Sequence, residues 1–555
     1  MPPLTSFDLV PAPTTVQPGE RSFILSGPIA VEIDGELAGA WPLAVDVLST
    51  RLGLVPGAPA DGADLGIRLD PELPADAYRL RVSPSAWRLP AEEAAQVDIW
   101  ASSLAGAVNA LRTLQQLIGA EAFRRAPLGA PVTVPEVVIE DSPRFGHRGV
   151  LLDVARNFLP KDQVMRFIDV ASMHKLNILQ LHLTDDQGWR MEVRAYPLLT
   201  EVGSWRTESQ VGSSRSTLYD GQPHGGYYTQ DDLREIVAFA RTRGVTIVPE
   251  IDVPGHSQAA MAAYRELSAA NLDLPVWTRW GLNRNALDTS EFVLDFYRTV
   301  LDELMEIFDS PIICIGGDEV DTEQWANSDK IVRQAEELGL DGVDELLPWF
   351  SAQLADHLRS RGRRASVWDE VGGARVPRDI IVNSWRGYRG GLDALHDGHD
   401  IVVCPEHQVF LDHRAAPGLD EPTPVGTVHT VEDVYRFEPV TDEIAEAATE
   451  PGAGMVLGAQ AQVWREQLAD PRHTDYATYP RLCAFAEVVW TAREDRDWGD
   501  FRSRLDTHLS RLDAAGVEYR PMDGPKPWHR RPRVPGYPQR FDELGNLVPA
   551  PGGER

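Results

Sequence analysis

The sequence predicts a closed (β/α)8 barrel preceded by a small α+β domain. Three observations carry that prediction. From about residue 147, short β-rich apolar runs alternate with amphipathic helical stretches; the runs number eight; and nearly all of them end in a polar or aromatic residue. The chain has 555 residues, enough for two or three domains of which one is a large barrel.

Residues 1–140 read as the α+β domain. Strand-like pieces, SFILS, YRLRV and VDIWA, are separated by Pro/Gly turns. SSLAGAVNALRTLQQLIG then places apolar residues at helical spacing, with Gly119 just past the end. APLGAPVTVPEVVIEDSPRF reads as a strand and a linker. Residues 141–515 read as the barrel. Its runs are GVLLDVA (149–155), NILQLHL (177–183), TIVPEID (246–252), PIICIGG (311–317), ASVWDE (365–370), DIIVNSW (379–385), DIVVCPE (400–406) and MVLGAQAQVW (455–464). The clearest helices between them are DQVMRFIDVASMHK, DDLREIVAFARTRG, SEFVLDFYRTVLDELMEIF and LLPWFSAQLADHLRSRG. FRSRLDTHLSRLDAAG closes the barrel region as a helix. Residues 516–555 read as a Pro-rich tail, an irregular wrap or partly disordered end.

The runs end at Arg156, Asp185, Glu250, Asp318, Glu319, Trp368, Trp385 and Trp464. In this fold the C-terminal ends of the strands converge on one face, and active sites sit there. Scattered charge would not mark one end of each strand.

Composition narrows the classes further. A formal net charge of −31 argues against a nucleic-acid binder and offers no polybasic patch to an anionic membrane. No apolar run is long enough to span a bilayer. The first residues, MPPLTSFDLVPAPTTVQPGE, lack a basic start and apolar core, so the plain expectation is a cytoplasmic protein; secretion would need a leader this sequence does not show. Cys314, Cys404 and Cys483 form neither a disulfide framework nor a zinc motif, and no metal or cofactor is expected.

Four motifs carry chemistry. In IGGDEV (315–320) two glycines admit close backbone approach, and Asp318 and Glu319 then fall at the strand's end. Adjacent residues in extended chain point apart, so the two carboxylates do not suit a facing donor–nucleophile pair. They suit a division of labour, in which one protonates a leaving oxygen and the other orients a second group. In LHLTDDQGWR, Asp185 is placed to polarise a partner; His182 with Asp185 lacks a third metal ligand at recognisable spacing. Pro254 and Gly255 in PEIDVPGHSQ present His256, which beside Asp185 and Glu319 would make a relay. Trp368, Trp385 and Trp464 end three runs, and indole faces stack on the apolar faces of sugar rings; Arg156 and Glu466 are candidates for hydroxyl contacts.

DVARNF, HLTDDQGWR, DVPGH, IGGDEV, VWDE and WRE, in this order, resemble glycoside hydrolase family 20, the β-N-acetylhexosaminidases. The resemblance covers roughly residues 1–515 and is strongest over 147–490. It implies a carbohydrate substrate with a terminal β-linked N-acetylhexosamine, cleaved with retention by its own acetamido oxygen through an oxazolinium intermediate. By motif it implies Glu319 as general acid and then base, and Asp318 as the partner of the acetamido N–H. Asp185 and His256 are implied as the relay, Arg156, Glu466 and Asp412 as hydroxyl ligands, and Trp368, Trp385 and Trp464 as the aromatic walls.

Two positions depart from the family pattern. Asn157 stands where a histidine often follows the arginine, which affects local support. Phe410 stands where a tyrosine usually donates to the acetamido oxygen, and phenylalanine donates nothing. A substitute donor, a local shift of alignment and a slower enzyme are all open at this stage. Also open are a relative of other specificity (a lacto-N-biosidase or a 6-sulfo-N-acetylglucosaminidase), a catalytically weakened sugar-binding protein, and a barrel hydrolase with a carboxylate nucleophile. The Ser/Gly-rich loop 206–226 reads as a solvated insertion, or else a mobile flap near the mouth.

Overall fold

A computed structural model describes residues 7–59, 62–88, 94–371, 375–418, 421–422, 426–531, 540–541 and 547–548. The N-terminal part is a seven-stranded mixed sheet built from β1 (Thr15–Leu25), β2 (Pro28–Ile33), β3 (Val55–Gly57), β4 (Leu65–Leu69), β5 (Tyr78–Pro84), β6 (Ala95–Ala101) and β7 (Val132–Asp141). Its order is β1-β7-β5-β6-β4-β2-β3. Helix α1 (Leu104–Ile118) lies against it, capped by Ser103, whose side chain accepts the N–H of Gly106 at 3.1 Å. A Cβ at Gly106 would stand 2.5 Å from the Ala77 carbonyl, so glycine is what lets this helix sit on the sheet.

The eight expected runs all form strands and close into a parallel barrel: β8 (His147–Asp153), β9 (Ile178–His182), β10 (Thr246–Glu250), β11 (Ile312–Cys314), β12 (Arg364–Trp368), β13 (Ile381–Ser384), β14 (Asp400–Val403) and β15 (Val456–Val463). They are buried on both faces, which explains their near-continuous apolar character. Helices α2 (Lys161–Met173), α3 (Gln230–Arg241), α4 (Glu291–Met305) and α5 (Leu346–Ser360) cover them where helical spacing places them. A Thr229–Asp232 capping box starts α3.

The barrel axis is polar. Gln460 Nε2 donates to Gln180 Oε1 at 2.9 Å, and Gln180 Nε2 donates to Glu250 Oε2 at 2.9 Å. That column runs upward into the cluster at the strands' C-terminal ends. A buried ion pair joins the two parts of the chain: Lys175 lies 2.7 Å from Asp141, with its ammonium over the Trp490 ring. Next to Lys175 in the chain, His174 meets His508 Nε2 to Nε2 at 2.9 Å with the Cys483 thiol beside them, a hydrogen-bonded knot deep in the core.

Half of the tail expected over 516–555, residues 532–539, 542–546 and 549–555, lies outside the described residues. Up to Arg531 it packs back on the barrel: Arg520 pairs with Glu421 at 2.8 Å, and Arg531 donates to the Gln467 carbonyl at 2.9 Å.

Candidate active site

The two glycines of IGGDEV set the position of the acid pair. Gly316 and Gly317 have φ of 66° and 101°. A Cβ on Gly316 would fall 1.7 Å from Asp252 Oδ1, and one on Gly317 2.3 Å from Val371 Cγ2. Only glycine fits both the backbone and the space. The chain then turns through Glu319, which itself has φ of 53°, a conformation costing on the order of 1–3 kcal/mol outside glycine. His256, presented by the turn after β10, is also left-handed, with φ of 46°.

The structure brings the expected relay together. His256 Nε2 lies 3.5 Å from Glu319 Oε2 and 3.7 Å from Asp318 Oδ2. Its Nδ1 faces Asp185 Oδ1 at 3.4 Å. Arg156 reaches the other oxygen of Asp185 at 2.8 Å and stacks its guanidinium over Trp464 at 4.8 Å. Burial opposes charge on Asp185, but Arg156 and His256 outweigh it and hold the carboxyl well below its ordinary range. Burial likewise opposes charge on His256, and Asp185 with Asp318 raises it well above an ordinary imidazole. Asp318 is pushed up to about 6, first by burial; the His256 cation pulls it down, while Glu370, Glu319 and Glu250 add to the rise.

The aromatic walls also assemble. Trp368 and Trp464 have centroids 6.0 Å apart, and Phe410 lies 6.1 Å from Trp385 and 6.3 Å from Trp464. Phe410 stacks on Trp385 at an interplanar angle of 19° and is 1% exposed, so residue 410 is part of this aromatic cluster. Asp412 is buried two residues further on. Glu466 is half-buried, within electrostatic reach of Arg156.

The family models for glycosyl hydrolase family 20 match this chain twice, the catalytic domain over residues 145–493 and domain 2 over residues 6–142. The chain belongs to glycosyl hydrolase family 20.

It is a glycoside hydrolase of the β-N-acetylhexosaminidase class. A β-N-acetylhexosaminidase of Cellulomonas fimi is 32% identical over 550 residues, covering 95% of this chain and 96% of that one. A β-hexosaminidase of Porphyromonas gingivalis is 37% identical over 425 residues, 76% of this chain; the match spans about half, 53%, of that longer protein. Among solved structures, the family 20 exo-β-N-acetylglucosaminidase of Vibrio harveyi in complex with N-acetylglucosamine superposes with a TM-score of 0.78 at 31% identity, over 93% of this chain and 78% of that one. The family 20 β-N-acetylhexosaminidase of Streptomyces coelicolor gives 0.77 at 28% identity, over 95% and 98%.

Several members of this family 20 site escaped the motif reading. His182 places one ring nitrogen 2.9 Å from Asp185 and the other 2.9 Å from Glu250. Glu250, read from sequence only as a strand end, also accepts the indole N–H of Trp368 at 3.0 Å. Asp252 accepts the Gly317 N–H at 3.1 Å. Burial, then the charge of Asp318, pushes its carboxyl well above the usual range. Glu370 accepts the indole N–H of Trp385 at 2.9 Å and pairs with Arg386 at 2.7 Å. The sequence carried a signal for the acids: Glu250 and Asp252 alternate along the run 246–252, and Glu370 ends the motif that contains Trp368. Asp252, His256 and Asp318 bring donor atoms within 4.8 Å of one another, as do Asp185, Asp186 and His256; these are the atoms that would meet a cation there.

Two further side chains shape the site's rim. Asp186 accepts the backbone N–H of Gln258 at 2.9 Å. Asn157 gives support: its amide donates to the carbonyls of Arg465 at 2.5 Å and Glu466 at 3.2 Å.

The loop 206–226 differs from its expectation. It is not a solvated insertion over its first half. Arg206, Ser209, Gln210, Ser213 and Ser216 are buried. Arg206 donates to the Arg156 carbonyl at 2.6 Å, and Gln467 donates to the Gly212 carbonyl at 2.6 Å. The Trp280 indole donates to the Gln210 carbonyl at 2.7 Å. Polar Ser/Gly composition misled because these side chains and carbonyls are satisfied by partners far away in sequence.

Proposed function

We propose that this enzyme removes a terminal, non-reducing β-linked N-acetylhexosamine with retention, using the substrate's acetamido oxygen as nucleophile. The observation that supports this best is the grouping of Asp318, Glu319, His256 and Asp185 beside Trp368, Trp385 and Trp464.

In this reading the sugar's apolar face rests on the indoles, and Arg156, Glu466 and Asp412 take its hydroxyls. Glu319 protonates the leaving oxygen, and His256, itself held by Asp185, faces the Glu319 carboxyl. The acetamido oxygen attacks the anomeric carbon as the bond to the leaving oxygen breaks. Asp318 accepts the acetamido N–H and balances the positive charge that develops on the ring so formed. Glu319, now ionised, takes a proton from water, whose oxygen opens the oxazolinium at the anomeric carbon. An intramolecular nucleophile loses little entropy at the barrier, which is why no carboxylate need stand beneath the ring.

The reading is tested with p-nitrophenyl N-acetyl-β-glucosaminide against p-nitrophenyl β-glucoside. Hydrolysis of the first and near silence on the second is expected. Glu319→Gln is expected to lose roughly 10²–10⁴ in kcat. Comparable rates on the two glycosides would instead point to a protein carboxylate nucleophile.

A further inference from the structure

The cluster beneath the acid relay has a member that does not touch the relay's outer end and meets the sugar-binding groups only through the Trp368 indole N–H. Glu250, at the end of β10, is fully buried and spends both carboxylate oxygens. Oε2 lies 2.9 Å from His182 Nδ1 and accepts from Gln180 at 2.9 Å; Oε1 accepts the Trp368 indole N–H at 3.0 Å. His182 in turn sets its Nε2 2.9 Å from Asp185 Oδ2, and Asp185 faces His256. A path of close contacts thus leads from the indole wall through two carboxylates to the acid: Trp368, Glu250, His182, Asp185, His256, Glu319.

We infer that Glu250 is a positioning residue that couples the seating of the sugar against Trp368 to the orientation of the Asp185–His256–Glu319 relay. The inference rests on the function proposed above, and it adds two residues, Glu250 and His182, to which no catalytic part was assigned.

The physical case is one of charge and geometry. His182 is enclosed, with a carboxylate oxygen 2.9 Å from each ring nitrogen, so the ring is a buried cation between two anions. Removing either carboxylate leaves that cation half-compensated, which is costly in a dry interior. Burial opposes charge on His182, but Glu250 and Asp185 raise it well above an ordinary imidazole, with Arg156 acting against them. Burial opposes charge on Glu250 as well, and His182, Gln180 and Trp368 hold the carboxyl low. Signs alternate from Glu250 through His182 and Asp185 to His256. The other groups that face this pair are Asp252, Asp318 and the Cys314 thiol. A planar indole with its N–H tied to Glu250 cannot rotate about its wall position without releasing the carboxylate that orients His182.

A double-mutant cycle tests this on p-nitrophenyl N-acetyl-β-glucosaminide, with wild type, Glu250→Gln, Trp368→Phe and the double variant. Glu250→Gln keeps an acceptor for the indole and removes the charge. It is expected to lower kcat about tenfold or more with little change in KM. It should also move the acid limb of kcat/KM to lower pH, because the charge on Glu250 is one of those that raise Asp318. Trp368→Phe keeps an aromatic wall and removes the N–H. It should lower kcat as well as raise KM. In the double variant the two losses in kcat should overlap rather than multiply.

Losses that multiply, or a Trp368→Phe variant altered in KM alone, would overturn the inference. An unmoved acid limb in a folded Glu250→Gln protein would do the same, since a merely structural role predicts it. Should Glu250→Gln not melt cooperatively, the kcat-against-KM split of Trp368→Phe decides. Equal wild-type rates on the glucoside and the N-acetylglucosaminide would sink the proposed function instead, whatever the variants show.

Discussion

His256 and Glu319 meet at 3.5 Å, and each stands in left-handed backbone, with φ of 46° and 53°. Neither residue adopts that conformation without cost, and neither is glycine. The surrounding turns, Pro254–Gly255 before one and Gly316–Gly317 before the other, hold both in place. Strain of this kind persists only where the fold over-determines it. Here it aims an imidazole and a carboxyl at each other across the mouth of a barrel.

The acid limb of activity follows from Asp318. Its carboxyl is raised to about 6, by burial first, and the His256 cation pulls it down. In the proposed mechanism Asp318 acts ionised. Lowering the pH through about 6 protonates it, so kcat/KM should fall there and recover above. His256→Gln removes the cation that favours ionisation, so the limb should move to higher pH. Initial rates from pH 4 to 8 on wild type and variant check both the position and the direction. A limb that moves downward in His256→Gln would contradict the assignment.

Gly317 is expected to tolerate no side chain. Its Cβ would stand 2.3 Å from Val371 Cγ2, at a φ of 101°. Gly317→Ala should displace the acid pair and cut kcat by two orders of magnitude or so, the scale expected when catalytic groups shift by about 1 Å. Adding Val371→Ala relieves the clash and leaves the backbone strain, so it should restore only part of the rate. Steady-state kinetics on the two variants, with circular dichroism to confirm folding, read this out.

Phe410 stacks on Trp385 within the aromatic cluster and can donate nothing to a bound acetamido oxygen. Phe410→Tyr should raise turnover on an aryl N-acetylglucosaminide. A gain of about tenfold lies within the ~10²–10³ that an oriented oxyanion-type donor contributes. An unchanged or lower rate would show that the acetamide is already held by another group.

The barrel was legible because its strands are buried on both faces and announce themselves as apolar runs, and because nearly every run ends in a polar or aromatic residue. The adjacent acids, the histidine after the Pro–Gly turn and the three indoles were legible for the same reason. Glu250 and His182 were less so. Glu250 has no local partner that explains it and His182 has only Asp185, and the 2.9 Å contacts that join Glu250 to Gln180 and His182 arise between strands about 70 residues apart. Glu370 was hidden in the same way, since its role is to fix an indole 15 residues on. The loop over 206–226 read as solvated because its buried contacts, Gln467 on Gly212 and Trp280 on Gln210, lie 255 and 70 residues away.

In the proposed reaction a bound amide becomes the nucleophile, and a stable mimic of the resulting bicyclic intermediate measures that most directly. The N-acetylglucosamine thiazoline should inhibit the wild-type enzyme competitively and bind about 10²-fold or more tightly than N-acetylglucosamine itself, with much of that advantage lost in Asp318→Asn. A thiazoline that binds no better than the free sugar, in an enzyme that still cleaves the aryl N-acetylglucosaminide, would contradict it.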